Sequence, residues 1–443
     1  MFFSFRQEHQ ERLNSMRLFG GLHITTDYRK LETALLGLSE SKPGSPVVLQ
    51  KSMAFDMPDE IVSRINAVTE QITDQRQPAP FNDVFKPSSN TEGISGPSDD
   101  SGNILQQFDE LRYLISLLEE EAIQQLMTEN HQENNSVVAF TVSDPGLRTR
   151  FTQWGKQLRY HTLSDAALLT QKTGFNIIDA IHNKDVVENG QGRPLLSLPQ
   201  WVFLNQDDRK RLLLDLGVTA RWTLFPKADT ETAWQQIQYH DIGPCGNLLN
   251  FLTYQISKGE LNRDIGGRLS VQGRSIPELL HQWLELTRDL DHHSEKDSSL
   301  KTSISCYLST LQQSGNIASW SLQDILCTAV HWLAEQIHRD FQRSFPDGDI
   351  PEIILTGAAR QNGLLFNRLS ALFHPHQIHL LSEYGFQEDT FDAMAVAMLG
   401  VFFVSRIPAA LPALTGADRP SVSGRLTPGN DLSWKTLLQW NER

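Results

Sequence analysis

The chain has 443 residues, 39% of them apolar, which at roughly one to two hundred residues per domain allows two or three domains with real cores. Its 53 Asp+Glu against 39 Lys+Arg leave a net charge of −14, and that field works against nucleic acid and anionic membrane as partners. Cys245, Cys306 and Cys327 show no CxxC spacing, which argues against a disulfide framework or a zinc site and for a reducing compartment, by default the cytoplasm.

Taken in chain order, Met1–Phe5 is too short for a signal-peptide core and is followed by the charged stretch from Arg6 to Arg12. Residues 76–103, with four Pro, three Gly and five Ser, have too little apolar surface to offset ordering and read as an exposed insertion. Ile104, Phe108, Leu111, Ile115, Leu118, Ala122 and Leu126 recur at steps of three and four, which predicts a helix over 104–128. Strand VVAFTV (137–142), helix Asp165–Thr173 and strand FNIID (175–179) then alternate, the pattern of α/β layers. RLLLDLGV (211–218) and RWTLF (221–225) read as a hairpin, followed by strand IQYHD (237–241) and a helix at 247–256. A polar patch at 288–303 resembles the first insertion. Ser321 with Asp324 caps a helix to about Phe341, EIILTG (352–357) is a strand, and Leu364–Phe373 is helical. The last apolar segment, Asp389–Ser405, is a core helix, and its run Ala393–Val404 falls short of the roughly 20 residues of a membrane span. No repeat of fixed period is present, although the hairpin-first pattern occurs around 18–38 and again around 211–240.

Three stretches carry chemistry. Asp241-Ile242-Gly243-Pro244-Cys245-Gly246-Asn247 puts a carboxylate at a strand end before glycines and a helix N-terminus. Such a place suits a general base beside an anion, or simply a helix cap. Gly190-Gln191-Gly192, preceded by Asp185, suits close contact with a polyhydroxyl ligand, or a tight turn. Leu355-Thr356-Gly357-Ala358-Ala359-Arg360-Gln361-Asn362 is a strand-to-helix turn of small residues against which an adenine can stack. His374, His376 and His379 lack a ligand partner at metal spacing and read as a surface edge, so no metal site is expected. His161, Ser164 and Asp165 are too close in sequence to imply a triad.

In order, these motifs resemble the anhydro-N-acetylmuramic acid kinase family of the actin-like ATPase and sugar-kinase superfamily, over roughly residues 160–430. Ser164–Gly174 resembles G(D/N)xALLAxxTG, Asp185–Leu195 resembles DVAAGGQGAPLVP, and Asp241–Asn247 resembles FDxGPGN with one insertion. Arg263–Gly273, Glu352–Leu369, and Glu383–Gly385 with Asp392–Ala397 resemble the remaining segments. The resemblance implies a two-lobed α/β fold, actin-like (ribonuclease H-like), with a central cleft. It places lobes at 1–210, with the insertion at 76–103, and at 211–443, with the insertion at 288–303. It implies ATP-dependent opening and O6 phosphorylation of 1,6-anhydro-N-acetylmuramic acid in cell-wall recycling, with Mg²⁺ on the ATP phosphates. Asp241 would be the base, and Gln191, Gly192, Asp185 and Asp392 would face the amino sugar. Thr25, Asp27, Gly217, Gly243, Gly246, Asn247, Gly357 and Asn362 would face ATP. The family commonly forms homodimers.

The departures cluster on the ATP side. The family's GTSxDG loop is here His23-Ile24-Thr25-Thr26-Asp27-Tyr28, which lacks both glycines, and a phosphate cradle is not expected to close around His23 and Tyr28. The second phosphate hairpin, NxGGxxN, is here Asp215 to Arg221 with one glycine, and Arg221 offsets part of the charge of Asp215. The HGQ element has no counterpart in Val142–Gly146. The expectations are therefore an active sugar kinase, a pseudokinase that keeps the fold without phosphoryl transfer or cofactor and acts as a sugar-binding or interaction protein, or ATP-independent hydrolysis of an anhydrosugar or glycoside by Asp241.

Overall fold

A computed structural model describes residues 4–5, 16–39, 46–74, 104–128, 136–151, 157–205, 209–230, 232–293, 304, 307, 309–311, 320–346, 351–373 and 378–442. The expected insertion at 76–103 lies outside the described residues. The patch at 288–303 is corrected in part: residues 288–293 continue a helix, Pro277–His293.

The chain forms two compact units, residues 1–203 with 389–443, and residues 204–388. This corrects the expected lobes at 1–210 and 211–443. The segment from Asp389 onward returns to the first unit because its apolar helix finds its packing face there.

In the first unit, strands β1 (Ser4–Phe5), β2 (Arg17–Ile24), β3 (Lys30–Leu38), β4 (Pro46–Asp56), β5 (Val137–Ser143), β8 (Ile177–Asp179) and β14 (Arg425–Thr427) form one sheet in the order β1-β4-β3-β2-β5-β8-β14. β2, β3 and β4 are an antiparallel meander, and β5 and β8 add in parallel. β6 (Leu147–Phe151) and β7 (Gln157–His161) make a separate hairpin. One sheet face is covered by α1 (Asp59–Asp74), α2 (Ile104–Thr128) and α3 (Ala166–Thr173), whose Leu111, Ile115, Ile123 and Leu169 join Leu22, Leu35 and Phe140 in a core. α3 starts on Asp165, whose carboxylate takes the Ala167 and Leu168 amides, and stops at Gly174 in the left-handed region. The short helices α4 (Asn183–Val187) and α5 (Ser197–Leu204) follow.

The other face carries α10 (Phe391–Val404), apolar all round and almost wholly buried. It lies so close that a Cβ on Gly21 would sit 2.1 Å from the Ala393 carbonyl, and one on Gly400 would sit 2.2 Å from Thr141 Oγ1. After α11 (Pro412–Thr415), α12 (Asp431–Asn441) buries Trp440 edge-on to Phe19, with ring centroids 5.1 Å apart.

In the second unit, β9 (Arg211–Leu216), β10 (Thr219–Phe225), β11 (Gln238–Pro244), β12 (Glu352–Thr356) and β13 (Ile378–Leu380) run in the order β11-β10-β9-β12-β13. Three are antiparallel and two parallel, the same order as β4-β3-β2-β5-β8. The paired hairpins anticipated around 18–38 and 211–240 are thus the starts of two like sheets. Helices α6 (Gly246–Ile256), α7 (Pro277–His293), α8 (Leu322–Ser344) and α9 (Gly363–Leu372) supply Leu252, Trp283, Trp332 and Leu369 to its core. Ser321 caps α8 by accepting the Asp324 amide, as the sequence predicts. No helix among the described residues is long and apolar enough to cross a membrane.

Glu119, on α2, is completely buried, and the Ser164 hydroxyl donates to its Oε1 at 2.6 Å. Burial pushes its pKa up to about 8, the Ser164 bond opposing and the Asp144 charge adding to the rise. From the ordinary carboxyl value up to about pH 8 the unfolded chain has lost this proton and the folded chain keeps it. Stability therefore falls with rising pH in that window, by about 1.4 kcal/mol per unit, and levels off above it. Urea midpoints of wild type are expected to decline from about pH 5 to 8, and those of Glu119→Gln to stay flatter; parallel curves would refute this.

Candidate functional site

The candidate residues fall into one group in each unit. In the first unit, β2 ends in a turn that Thr25 and Asp27 close. Thr25 Oγ1 donates to Asp27 Oδ1 at 2.7 Å, the Arg29 amide donates to the same oxygen, and the Lys30 amide donates to Thr25 Oγ1. The Tyr28 amide reaches the Thr25 carbonyl and the Thr25 amide reaches the Lys30 carbonyl. The stretch without the family's glycines thus folds into a turn whose amides are taken up by its own backbone and side chains. Tyr28 itself takes the left-handed conformation, φ 59°, in which glycine is usual. Its half-buried ring packs against the core, desolvation and then the Asp144 charge raise its pKa to about 12, and its hydroxyl donates to the Gly146 carbonyl at 3.2 Å. Packing of the ring offsets the strain.

The Gly190–Gly192 loop is held from behind. The Asp185 carboxylate, buried, accepts the Gly192 amide at 2.7 Å, and the Gly190 amide bonds the Asp185 carbonyl. A Cβ on Gly190 would lie 2.2 Å from Asp185 Oδ2, so glycine is required. Gly192 is left-handed, φ 69°, and its carbonyl accepts from His182 Nδ1 at 2.6 Å. His182 is half-buried and packs on Tyr160, ring centroids 4.5 Å apart, and desolvation lowers its pKa to about 4, with the Arg148 charge acting the same way. Asp185 is thus a support of the loop, and Gln191 is its exposed side chain, with its carbonyl accepting from Arg148 at 3.4 Å. Asp392, in the first turn of α10, accepts from Gln200 Nε2 at 2.9 Å and lies 3.8 Å from His23 Nε2.

In the second unit, Asp215, Arg221 and Asp241 are cross-strand partners on β9, β10 and β11, so their side chains share one sheet face. Arg221 donates to Asp215 Oδ2 through Nε at 2.7 Å and Nη2 at 2.6 Å. Asp241 is exposed and accepts from the Tyr239 hydroxyl at 2.7 Å. It does not cap α6. The N-cap position is Cys245, and Asn247 Oδ1 accepts the Cys245 and Leu248 amides. The Gly246 and Asn247 amides bond the carbonyls of Gly217 and Val218. Asn247 and Gly246 therefore secure the helix to the hairpin. Asn362 is likewise a buried cap, taking the Leu364 and Leu365 amides and donating to Ser270 Oγ. Gly243 faces open space at φ 151°.

The hairpin turn suits a magnesium nucleotide in its donor chemistry. A Cβ on Gly217, Gly246 or Gly357 would meet Asp215 Oδ1 at 3.1 Å, the Gly217 carbonyl at 2.8 Å, or Asp215 Oδ1 again at 2.4 Å. Backbone therefore crowds around that carboxylate. A carboxylate oxygen is a hard donor for Mg²⁺, and a guanidinium matches phosphate. Among the described residues no group of three His, Cys, Asp or Glu forms a metal cluster. His379 is bonded to Glu383 at 2.7 Å and lies 3.5 Å from Glu352, and His374 and His376 lie outside the described residues. Ser164 is spent on Glu119, and Asp165 caps α3, so with His161 they form no triad. Glu32, His182 and Arg148 were not singled out from sequence. A charged residue inside the apolar strand KLETALLGL was the available signal for Glu32.

Two units with one strand order, each opening on a hairpin and adding parallel strands, make a duplicated α/β fold of the actin-like, ribonuclease H-like kind. A family model described as anhydro-N-acetylmuramic acid kinase matches residues 25–429, so the match includes the Thr25 turn. The chain belongs to the anhydro-N-acetylmuramic acid kinase family. It is 27% identical over 268 residues to the anhydro-N-acetylmuramic acid kinase of Cyanothece sp. (strain PCC 7425 / ATCC 29141), covering 60% of this chain and 69% of the relative. The enzyme of that name from Gloeobacter violaceus is 29% identical over 273 residues, 60% of this chain and 69% of that one. Among solved structures, the activator of the 2-hydroxyisocaproyl-CoA dehydratase from Clostridium difficile with bound ADPNP matches at TM-score 0.38 and 10% identity, covering 88% of this chain and 96% of that chain. A ROK family glucokinase from Streptomyces griseus in complex with glucose and AMPPNP matches at TM-score 0.33 and 12% identity, over 86% and 97%.

Removing the support of the sugar-side loop should be measurable without a ligand. Asp185→Ala strands the Gly192 amide in a buried place, an expected loss of about 1–3 kcal/mol in urea unfolding, with Asp185→Asn intermediate. An unchanged Asp185→Ala midpoint would show that the loop is held otherwise.

Proposed function

We propose that this chain is a kinase for 1,6-anhydro-N-acetylmuramic acid, opening the anhydro ring and leaving the phosphate on O6, in the recycling of cell-wall fragments. The observation that carries the reading is Asp241. It is kept at the family's motif, lies exposed at the edge of its sheet, and has no part in capping α6.

In this reading Asp241 takes a proton from water as the water oxygen bonds to the anomeric carbon, while the bond from that carbon to the bridging O6 breaks. The Tyr239 hydroxyl bond orients its carboxylate, with Arg221 its cross-strand neighbour. Gln191 and the Gly192 backbone contact the sugar, with Asp185 and His182 holding that loop still. Asp392 contacts the sugar with a carboxylate one methylene shorter than the family's usual Glu. Arg221, Asp215 and the turns at Gly217 and Gly357 would hold Mg-ATP, with Thr25 and Asp27 at the other phosphate turn. ATP when bound supplies the phosphoryl group.

A pseudokinase is the second reading, favoured by one observation. The amides of Thr25, Tyr28, Arg29 and Lys30, and those of Cys245 to Leu248, are all engaged within the protein. Few backbone donors remain for phosphate.

A coupled assay with Mg-ATP and 1,6-anhydro-N-acetylmuramic acid, with ATP-free controls for plain hydrolysis, separates the readings. ATP-dependent product is expected from wild type. Asp241→Asn should lower kcat by at least about 100-fold with sugar affinity little changed. Sugar binding by calorimetry without any turnover establishes the pseudokinase, product without ATP establishes a hydrolase, and an undiminished Asp241→Asn rate removes this residue from the chemistry.

A further inference from the structure

Glu32 is only 6% exposed, near the start of an otherwise apolar strand. A buried carboxyl must find donors or keep its proton. Its cross-strand partner is His23, and both lie on the sheet face covered by α10, because Gly21, two residues before His23 on β2, abuts Ala393. There the Ala393 amide, in the first turn of α10, donates to the Glu32 carboxyl. The other demand is unmet: Oε2 is buried with no hydrogen-bond partner among the described residues.

Burial first, then the charges of Asp392 and Asp389, raise the pKa of Glu32 well above the usual carboxyl range, while Lys30 and the Ala393 amide act in the opposite direction. Lys30 is itself engaged by Asp389 at 2.8 Å. Asp392 is the open member of the group, its side chain 40% exposed against 11% for His23. Holding the end of α10 accounts for one oxygen of Glu32. It gives no use for the second, and a neutral Ser or Asn would do the same without burying an acid.

We propose that Glu32 is a further sugar-binding residue, whose Oε2 donates a hydrogen bond to a hydroxyl of the bound sugar while that hydroxyl donates to Asp392. A hydroxyl is both donor and acceptor, so one sugar oxygen satisfies both carboxyl groups, and an isolated anion satisfies neither. The assignment rests on the anhydro amino sugar reading given above.

The test is calorimetric titration of 1,6-anhydro-N-acetylmuramic acid, without nucleotide, into full-length wild type, Glu32→Gln and Glu32→Met. It runs from about pH 6 to about pH 9, with thermal unfolding of each protein in parallel. Gln keeps a donor at that place and is expected to bind within about 3-fold of wild type, whereas Met is expected to weaken binding about 10- to 100-fold. Any fall of wild-type affinity towards alkaline pH that comes from loss of the Glu32 proton should be absent from the Gln variant. Affinity of Glu32→Met equal to wild type overturns the proposal, even if its melting temperature falls, since a cap alone predicts that pattern. Should the Met variant not fold, a Gln variant with the wild-type pH dependence overturns it instead. Failure of wild type to bind the sugar at any pH sinks the sugar reading and this proposal together, whereas equal binding by all three proteins sinks this proposal alone.

Discussion

The first unit depends on the distance between α10 and β2. With glycine at position 21 the helix backbone rests on the strand, and a single methyl group there would overlap Ala393. Ala34, opposite Gly21 on β3, keeps the same face small. That contact brings Asp392 to His23 and presents the Ala393 amide to Glu32. Pushing the helix outward by even an ångström would part these groups, so the geometry of the polar cluster follows from what is missing at one residue.

The same constraint explains how much was legible beforehand. Strands and helices with clear periods, such as 104–128, 352–357 and 364–373, fall where the pattern puts them. The likeness between the two hairpins is also visible in the chain, and it becomes a common sheet order. Roles inside loops were less legible, because Asp, Asn and Gly serve ligands and backbone equally well. Asn362 turned out to cap a helix, Asn247 to bond first-turn amides of another, and Asp185 to hold a loop, whereas Asp241 was left without a capping role. Sequence spacing does not say which carboxylate faces solvent. The division of the chain was illegible for another reason: an apolar helix near the C-terminus shows that it needs a core and not which core.

The turn at Thr25–Lys30 shows that a backbone shape can outlive the residues usually associated with it. Three side-chain bonds made by Thr25 and Asp27 hold the shape, and Tyr28 accepts a conformation that a β-carbon disfavours because its ring packs half-buried against the core and its hydroxyl is bonded to Gly146. Glycine makes such a turn cheap, and tertiary packing can make it tolerable without glycine. At the second unit's hairpin, by contrast, the surviving glycines are those where backbone meets the Asp215 carboxylate or another strand of backbone.

The return of residues 389–443 to the first unit also has a meaning in time. Trp440 seals Phe19, Ser433 accepts from the Asn176 side chain through its carbonyl, and Arg425 holds the buried carboxylate of Asp179 with both guanidinium arms. During synthesis the ribosome releases the second unit whole while the first still lacks these partners. The first unit is therefore completed only after the second has been made, and the sheet face that α10 covers stays open until then.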